Sequence, residues 1–376
     1  MKIASTLLVC CVSALVSLGL VMLYSAGMNG KGAQFFLMQS AWCGFGILAA
    51  SCVAVIDYRR WKKAAWLLWP VAIVLLALVW VPPFGVRTHG ASRWIRFAGV
   101  GFQPSEVAKL ALIFWIAAYA DTNQRVMNTF LRGLVVPGLF IVPILALVFQ
   151  EPDRGATVLL AAVCGIMLLI AGVRWGYLLP PIAIAGAGLA YSLIHDPMRL
   201  GRILSWLHPE ENKSGKFYQT WQAMTAFGSG GWQGVGLGNG RQKLGFVPEH
   251  HTDFIFSVIG EELGLIATLA VLAAFVLLVI CGLCIAFKAR EPFGLLLGSG
   301  ITFLIGLQAA INIGVVTGAL PNKGLPLPFL SYGGSNLLMV LTSVGLLLSI
   351  TRHTEGAPEP EEAEFNSNKA VSTQFA

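Results

Sequence analysis

The sequence predicts an all-α integral membrane protein with about ten transmembrane helices and one long extracytoplasmic loop. Two observations predict this fold class: the scarcity of charge and the length of the apolar runs. Charged residues make up only 11% of the 376 residues and hydrophobic residues 56%, whereas soluble proteins carry about 25% charged residues. So few charges cannot cover a water-facing surface. Composition therefore excludes a soluble enzyme, a disordered protein or a nucleic-acid binder as a description of the whole chain, and the net charge of +7 lies in short loops between apolar runs.

Most of the apolar runs are close to the length of about 20 residues that a helix needs to cross a bilayer. The ten runs cover 3–26, 35–56, 64–83, 104–120, 131–149, 155–173, 176–194, 254–287, 293–316 and 327–350. The first run is longer than the apolar part of a signal peptide and lacks a clean A-x-A cleavage site. We therefore expect it to be retained as the first helix.

Basic residues in short loops predict the orientation, because Lys and Arg favour the cytoplasmic side. They concentrate in every second connection, at 57–63, 121–133, 174–176, 287–292 and Arg352. This pattern places both termini in the cytoplasm. Loop 83–102 is then outside although it carries Arg87, Arg93 and Arg96. Either these arginines have a function there, or a loop of this length simply tolerates them.

The membrane domain is predicted to span 1–352, with a large outer loop at 195–252. Loops of this length without function are uncommon. Stretch 217–227 has amphipathic spacing that suits the membrane surface. Stretch 228–240 is more than half glycine, which fits either a flexible hinge or backbone N–H groups that approach an anionic head group. The acidic, aperiodic segment 353–376 is predicted to be a disordered cytoplasmic tail.

Charged residues that are scattered in the sequence fall on the same outer side in this topology. They are Arg93, Glu106, Lys109, Glu151, Asp153, Asp253 and Lys323. Glu106 and Lys109 follow Pro104, a favourable first helical residue, and their spacing of three allows them to pair on one helix face. A charge at mid-bilayer costs about 2.5–3.5 kcal/mol, but charges near the interface cost less. We expect a shared polar site, with structural ion pairs as the alternative.

Asp253 is the candidate catalytic residue. Thr252 is predicted to be the N-cap of the eighth helix, which would put Asp253 in its first turn, where the helix dipole favours an ionised carboxylate. Such a carboxylate at a membrane surface can accept a proton from a sugar hydroxyl. The alternative is a residue that only stabilises the start of the helix.

The neighbours of Asp253 are polar as well. His250 and His251 precede it with a spacing that matches no zinc pattern, so metal ligands are not assigned. Glu261 and Glu262 follow about two turns later, and the purely apolar run starts only at Leu263. We expect these glutamates near the membrane interface.

Four longer stretches resemble a known family. They are RWIRFAGVGFQPSEVAKLALI at 93–113, QEPDRGATVLL at 150–160, LGFVPEHHTDFIFSVIGEELG at 244–264 and NIGVVTGALPNKGLPLPFLSYGGSNLL at 312–338. Their order and spacing resemble the FtsW/RodA family of shape, elongation, division and sporulation proteins (SEDS), and the resemblance covers residues 1–350. GVGLGNGRQKL and IGEELG look more like the division branch, FtsW, than the elongation branch, RodA.

The resemblance implies a ten-helix peptidoglycan glycosyltransferase that polymerises lipid II, a disaccharide-pentapeptide on undecaprenyl diphosphate, for the septal wall during cell division. It implies a class B penicillin-binding protein (a transpeptidase) and divisome membrane proteins as partners, and no nucleic acid. The family's essential aspartate in HTDFIF corresponds to Asp253, and its polar cavity to Glu106, Lys109, Glu151 and Asp153. Arg154 departs from the family pattern, in which leucine is frequent, so the role of the 151–154 loop is less certain.

The chemistry of lipid II polymerisation suits these residues. The acceptor hydroxyl must lose a proton as it attacks, and a positioned carboxylate contributes about 10²–10⁴-fold as a general base. The departing diphosphate needs charge neutralisation, which Arg93, Lys109, Lys243 or a divalent cation (Mg²⁺ or Mn²⁺) could supply. The remaining candidates for substrate binding are His251, Glu261 and Lys323.

Other functions remain open at this point. A lipid II flippase could use the same outer cavity, although it should also offer polar residues through the membrane depth. A proton-coupled transporter should carry acids near the midplane. An elongation-type polymerase and a scaffold without chemistry are the remaining alternatives.

Overall fold

The computed structural model describes residues 1–27, 32–81, 84–88, 91–97, 100–208, 218–241 and 251–355. Twelve α-helices account for most of these residues. They are α1 (Lys2–Ala26), α2 (Gly32–Val55), α3 (Trp61–Leu78), α4 (Pro104–Thr122), α5 (Val136–Gln150), α6 (Arg154–Ile170), α7 (Trp175–Ile194), α8 (Pro197–Leu207), α9 (Tyr218–Gly230), α10 (Ile255–Phe287), α11 (Pro292–Val316) and α12 (Gly334–Glu355). A π-helical turn at Leu131–Val135 leads into α5.

Each of the ten predicted apolar runs coincides with one of these helices. Within the described residues, eight helices are long and apolar enough to cross a membrane, and α6 is a shorter apolar helix. The predicted fold class, a helical membrane protein, is therefore confirmed, while the number of helices that span the bilayer stays a prediction. The start of the last run was wrong: 327–333 is not helical. Pro326 and Pro328 explain this, because proline lacks a backbone donor and disfavours helical geometry in the preceding residue.

A three-stranded antiparallel sheet occupies the predicted outer loop before α4. Its strands are β1 (Gly85–Thr88), β2 (Ala91–Phe97) and β3 (Val100–Phe102), in the order β1-β2-β3. In this register Ile95 pairs with Gly85 on one side and with Phe102 on the other. The sequence had predicted only a loop here. The sheet holds Arg93 in the central strand, next to the turn between α5 and α6.

Helix α4 lies at the centre of the bundle. It packs against α3, α5, α6, α11 and α12, and 16 of its 19 residues are buried. Helix α7 is the opposite case, since Leu178 is its only buried residue. The two charged residues at the start of α4 are therefore carried into the most enclosed part of the bundle.

The segment 317–333 joins α11 to α12 without helical structure, yet much of it is buried. Leu325, Leu327, Phe329 and Leu330 are each at most 3% exposed. Amide side chains of neighbouring helices satisfy its backbone: Gln308 Nε2 donates to Pro326 O at 2.9 Å, and Gln39 Nε2 donates to Ser331 O at 3.1 Å. Irregular backbone at membrane depth is tolerated only where protein groups satisfy it in this way.

Candidate active site

Asp253 lies in a turn, residues 251–254, immediately before α10. The N-cap of α10 is Phe254, without a side-chain capping bond, so the prediction that Thr252 caps the helix was wrong. The carbonyls of the turn have other partners: His251 O accepts from Tyr332 N at 2.9 Å, and Thr252 O accepts from Ser331 Oγ at 2.6 Å. These bonds tie the turn to segment 317–333, and the helix begins after the turn, at Ile255.

The Asp253 carboxylate is half-buried and lies against Gly324 in segment 317–333. A Cβ atom at position 324 would come within 2.6 Å of Asp253 Oδ2. Any larger residue at position 324 would therefore displace the carboxylate from this place. The contact also places Asp253 beside the backbone of Lys323, which is distant in sequence. The turn is supported from the other side by Phe35, whose ring stacks on His251 with centroids 4.7 Å apart.

Gly324 also lines a cavity of about 180 Å³ that is rich in basic side chains. Its charged lining residues are Arg93, Asp153, Arg154, Arg202 and Lys323. Four cations therefore face one carboxylate. Burial lowers the pKa of the Lys323 ammonium from its usual value, because a cation loses hydration there. An anionic ligand in this cavity would offset that cost. Asp253 lies next to the cavity, because it contacts the lining residue Gly324.

Arg93 fastens the turn between α5 and α6. Its Nε donates to Glu151 O at 2.9 Å and its Nη2 to Pro152 O at 2.6 Å, while Nη1 lies 3.9 Å from Asp153 Oδ2. Asp153 in turn caps α6, where its Oδ1 accepts from Ala156 N at 3.0 Å. The arginine in the outer segment therefore has a structural function, and it still lines the cavity.

Glu151 is fully buried, and neither carboxylate oxygen has a hydrogen-bond partner within the described ranges. The pKa of Glu151 is raised to about 8, mainly by burial and also by the nearby Asp153, while Arg93 partly opposes the shift. Glu151 is therefore mostly protonated at neutral pH. This corrects the expectation that it contributes a negative charge to the site.

Glu106 and Lys109 form the predicted pair, with Lys109 Nζ 2.8 Å from Glu106 Oε1. Both side chains are less than 5% exposed. Asn336 Nδ2 donates to Glu106 Oε2 at 3.1 Å, and Lys109 Nζ donates to Gln308 Oε1 at 3.2 Å. The network ties α4 to α11 and α12, and neither charged residue lines the cavity.

The glycine-rich stretch packs against the beginning of α10. Glu262 Oε2 accepts from Gly238 N at 3.0 Å, and Glu261 Oε1 accepts from Arg241 N at 2.8 Å. A Cβ atom at Gly234 would lie 2.2 Å from Glu262 O, so the two backbones touch. Both glutamates are buried beneath this loop. Some of its N–H groups thus donate to carboxylates of the chain itself, which gives Glu261 a structural contact. The predicted contact of Glu261 with substrate stays a prediction.

Two charged residues of the cavity, Arg154 and Arg202, were not among the predicted site residues. Arg202 lies on α8, a helix that the sequence reading had left inside the long loop; its amphipathic pattern at 197–207 was the available signal. Arg154 had been noted only as a departure from a family pattern. It stacks on Phe149 at 4.7 Å, and its Nη1 lies 3.4 Å from Ser192 O on α7. The predicted site residue Lys243 lies outside the described residues.

The described ranges contain no group of three or more His, Cys, Asp or Glu side chains that could hold a metal ion. In particular, Asp253, Asp153 and Glu151 do not form such a group. The described residues therefore do not form a site of three or more such ligands for the predicted divalent cation.

Comparison with known proteins agrees with this architecture. The FTSW_RODA_SPOVE family, described as "Cell cycle protein", matches residues 5–356. The chain belongs to the FtsW/RodA family. It is 41% identical to a probable peptidoglycan glycosyltransferase FtsW of Geobacter metallireducens, over 92% of this chain and 94% of the relative. It is 38% identical to a protein of the same name from Coxiella burnetii, over 93% and 96%.

Solved structures of the FtsW/RodA family share the fold. One is a chain from work described as "Structural coordination of polymerization and crosslinking by a peptidoglycan synthase complex", with a TM-score of 0.79, 28% identity and coverage of 93% of this chain and 98% of that one. Another is the rod shape determining protein RodA of Thermus thermophilus, with a TM-score of 0.69, 28% identity and coverage of 93% and 97%. The predicted family is confirmed.

Proposed function

We propose that this chain is a peptidoglycan glycosyltransferase that polymerises lipid II into glycan strands for the division septum. Membership of the FtsW/RodA family and the names of its relatives support this function. The observation that carries it is the Asp253 carboxylate in contact with Gly324, at the rim of a cavity lined by four cations. A carboxylate beside a cationic cavity suits a transfer in which a hydroxyl loses a proton while a diphosphate departs.

In the proposed reaction Asp253 is the general base. The acceptor sugar's hydroxyl oxygen attacks the anomeric carbon of the donor, and Asp253 takes the hydroxyl proton. The bond from that carbon to the diphosphate oxygen breaks, and undecaprenyl diphosphate leaves with the electron pair. A positioned base contributes about 10²–10⁴-fold to such a step.

The cavity is the proposed site of the diphosphate. Arg93, Arg154, Arg202 and Lys323 would face the developing negative charge, and charge-assisted hydrogen bonds from Arg and Lys to phosphate are strong. Preorganised cations stabilise a leaving group without reorganising during the reaction. Burial lowers the pKa of the Lys323 ammonium, and a bound anion would offset the cost of keeping it charged.

The proposed setting is the bacterial cytoplasmic membrane, with both termini in the cytoplasm and the site on the outer side. The apolar helices solvate the lipid tail, which a water-facing surface could not do. A class B penicillin-binding protein and other divisome membrane proteins are the proposed partners. One of the similar chains comes from a peptidoglycan synthase complex, which supports a transpeptidase partner. The separation of a membrane domain, 1–352, from a tail, 353–376, is part of the same proposal.

The experiment is to incubate the purified chain with lipid II, with and without the transpeptidase, and to read the glycan length on a gel. We expect a ladder of glycan products that intensifies when the transpeptidase is present. The same preparation is reconstituted into vesicles to measure movement of lipid II between leaflets. Movement without any ladder would contradict the polymerase and support the flippase. A ladder that depends on an elongation-type transpeptidase, and not on a division-type one, would contradict the septal role.

A further inference from the structure

Asn312 contacts both segments that form the site around Asp253. It lies on α11, one turn before the helix ends, and is 1% exposed. Its Nδ2 atom donates two hydrogen bonds, one to Asp253 O at 2.8 Å and one to Leu325 O at 2.6 Å. These carbonyls belong to segments that are more than 70 positions apart in the chain (325 − 253 = 72). One amide group thus joins the turn of Asp253 to segment 317–333.

These two bonds bracket the contact that defines the site. Leu325 follows Gly324, and the carboxylate of Asp253 rests against Gly324. Lys323, the next residue along, lines the cationic cavity. Because both hydrogens of one planar amide are used, the two carbonyls are held at a fixed separation. Helix α11 therefore holds the backbone that carries the Asp253 carboxylate next to the backbone that carries the Lys323 side chain.

Within the described ranges, Asn312 is the side chain of a neighbouring helix that donates hydrogen bonds to both segments. Gln308 lies one turn earlier on α11. Its Nε2 donates to Pro326 O in segment 317–333 and, within the described part of the chain, makes no bond to the Asp253 turn. Ser331 bonds to Thr252 O but belongs to the segment itself. Asn312 Oδ1 is buried without a partner within the described residues, so the hydrogen bonds of this side chain there are the two that its nitrogen donates.

We infer that Asn312 is a positioning residue of the glycosyl transfer, which sets the Asp253 carboxylate against Gly324 and next to the cationic cavity. This inference rests on the proposed function. Asn312 acts through Asp253 and does not itself touch the reacting atoms. A small displacement of a catalytic group can lower a rate by about 10²-fold, so the loss of these two bonds should reduce kcat more than it changes KM for lipid II.

The test uses Asn312→Leu, which keeps the branched shape and removes both donors. The matched control is Thr302→Val, also buried on α11, whose Oγ1 bonds only to Gly298 O in its own helix at 2.7 Å. We expect Asn312→Leu to lower kcat by about 10–100-fold with KM changed less than about threefold, and Thr302→Val to leave both unchanged. Hydrogen exchange should be faster at 251–257 and 322–327 in Asn312→Leu alone.

A double-mutant cycle separates positioning from general support, because groups that act as a unit are not additive. In the Asp253→Asn background, Asn312→Leu should lower the residual rate by less than about threefold. If Asn312→Leu does not fold, Asn312→Gln, which keeps the amide but displaces it by one methylene, carries the same cycle. An undiminished effect in the Asp253→Asn background would overturn the inference, as would wild-type kcat in either folded variant. Failure of the proposed function is distinguishable, since the wild-type protein would then form no glycan.

Discussion

Two charged regions of the helix bundle have opposite designs. In the first, Glu106 and Lys109 pair with each other and with amides of α11 and α12, inside the bundle. In the second, Arg202 and Lys323 line a cavity in which Asp153 is the only carboxylate among the lining residues. The first region satisfies its charges within the protein and the second presents an excess of positive charge. The comparison teaches that a group of charged side chains indicates a ligand only when charges of the opposite sign in the protein do not balance it.

The largest effect that would sharpen this comparison is expected at Gly324. Gly324→Ala introduces a methyl group within 2.6 Å of Asp253 Oδ2, so the carboxylate must move. We expect polymerisation to fall by about 100-fold, in line with a displaced catalytic group, while the protein remains folded. Gly333→Ala is the matched control, because its added carbon meets only Asn336 Cβ at an ordinary 3.8 Å. Equal activity of the two variants would contradict the contact between Asp253 and Gly324 as the core of the site.

A smaller effect is expected from the cavity cations. Arg202→Gln and Lys323→Gln each remove one positive charge that faces the proposed diphosphate, and hydrogen bonds to charged groups contribute about 1.5–3 kcal/mol. We expect kcat/KM for lipid II to fall by at least about tenfold in each variant. Binding of inorganic diphosphate, measured by calorimetry, should weaken in parallel. Unchanged diphosphate affinity in both variants would remove the cavity from the mechanism.

Substitutions in the buried network of Glu106 and Lys109 should change stability and not activity per folded molecule. Glu106→Gln leaves the Lys109 ammonium without its carboxylate in a buried place, and breaking a buried pair costs about 3–5 kcal/mol. We expect a lower midpoint of thermal unfolding, with activity per folded molecule unchanged. The charge-swapped Glu106→Lys/Lys109→Glu protein should regain part of both stability and activity. A swapped protein that folds but forms no glycan would show instead that this pair contacts substrate.

The smallest effect on activity is expected at Glu151, where the protonation state changes stability and the change depends on pH. Its pKa is raised from 4.5 to about 8 in the folded protein, so the folded state holds a proton that the unfolded state releases above pH 4.5. Stability should therefore decline as pH rises from about 4.5 to about 8 and level off above that, by at most about 1.4 kcal/mol per pH unit. Glu151→Gln should lack this decline. Parallel unfolding midpoints of the two proteins from pH 5 to pH 8 would contradict a neutral Glu151.

Hydropathy predicted most of the fold, because each long helix is an apolar run with polar ends. It missed β1 to β3, whose strands have only three to seven residues and whose pairing depends on distant backbone. The pair of Glu106 and Lys109 was predictable, because two residues that are three positions apart on a helix lie on the same face. Asp253 was recognisable, but its contact with Gly324 and its tie to Asn312 join segments that no local pattern connects. The same holds for Arg202, which reaches the cavity only through the placement of α8.

The central claim is that Asp253 is the general base beside the cationic cavity. Asp253→Asn keeps the size and polarity of the side chain but cannot take a proton at neutral pH. The most direct measurement is the rate of glycan formation from lipid II by purified, folded Asp253→Asn protein, with its affinity for inorganic diphosphate measured in the same preparation. The account predicts a rate at least about 100-fold below wild type, with diphosphate binding retained. A normal glycan ladder from this variant would contradict it.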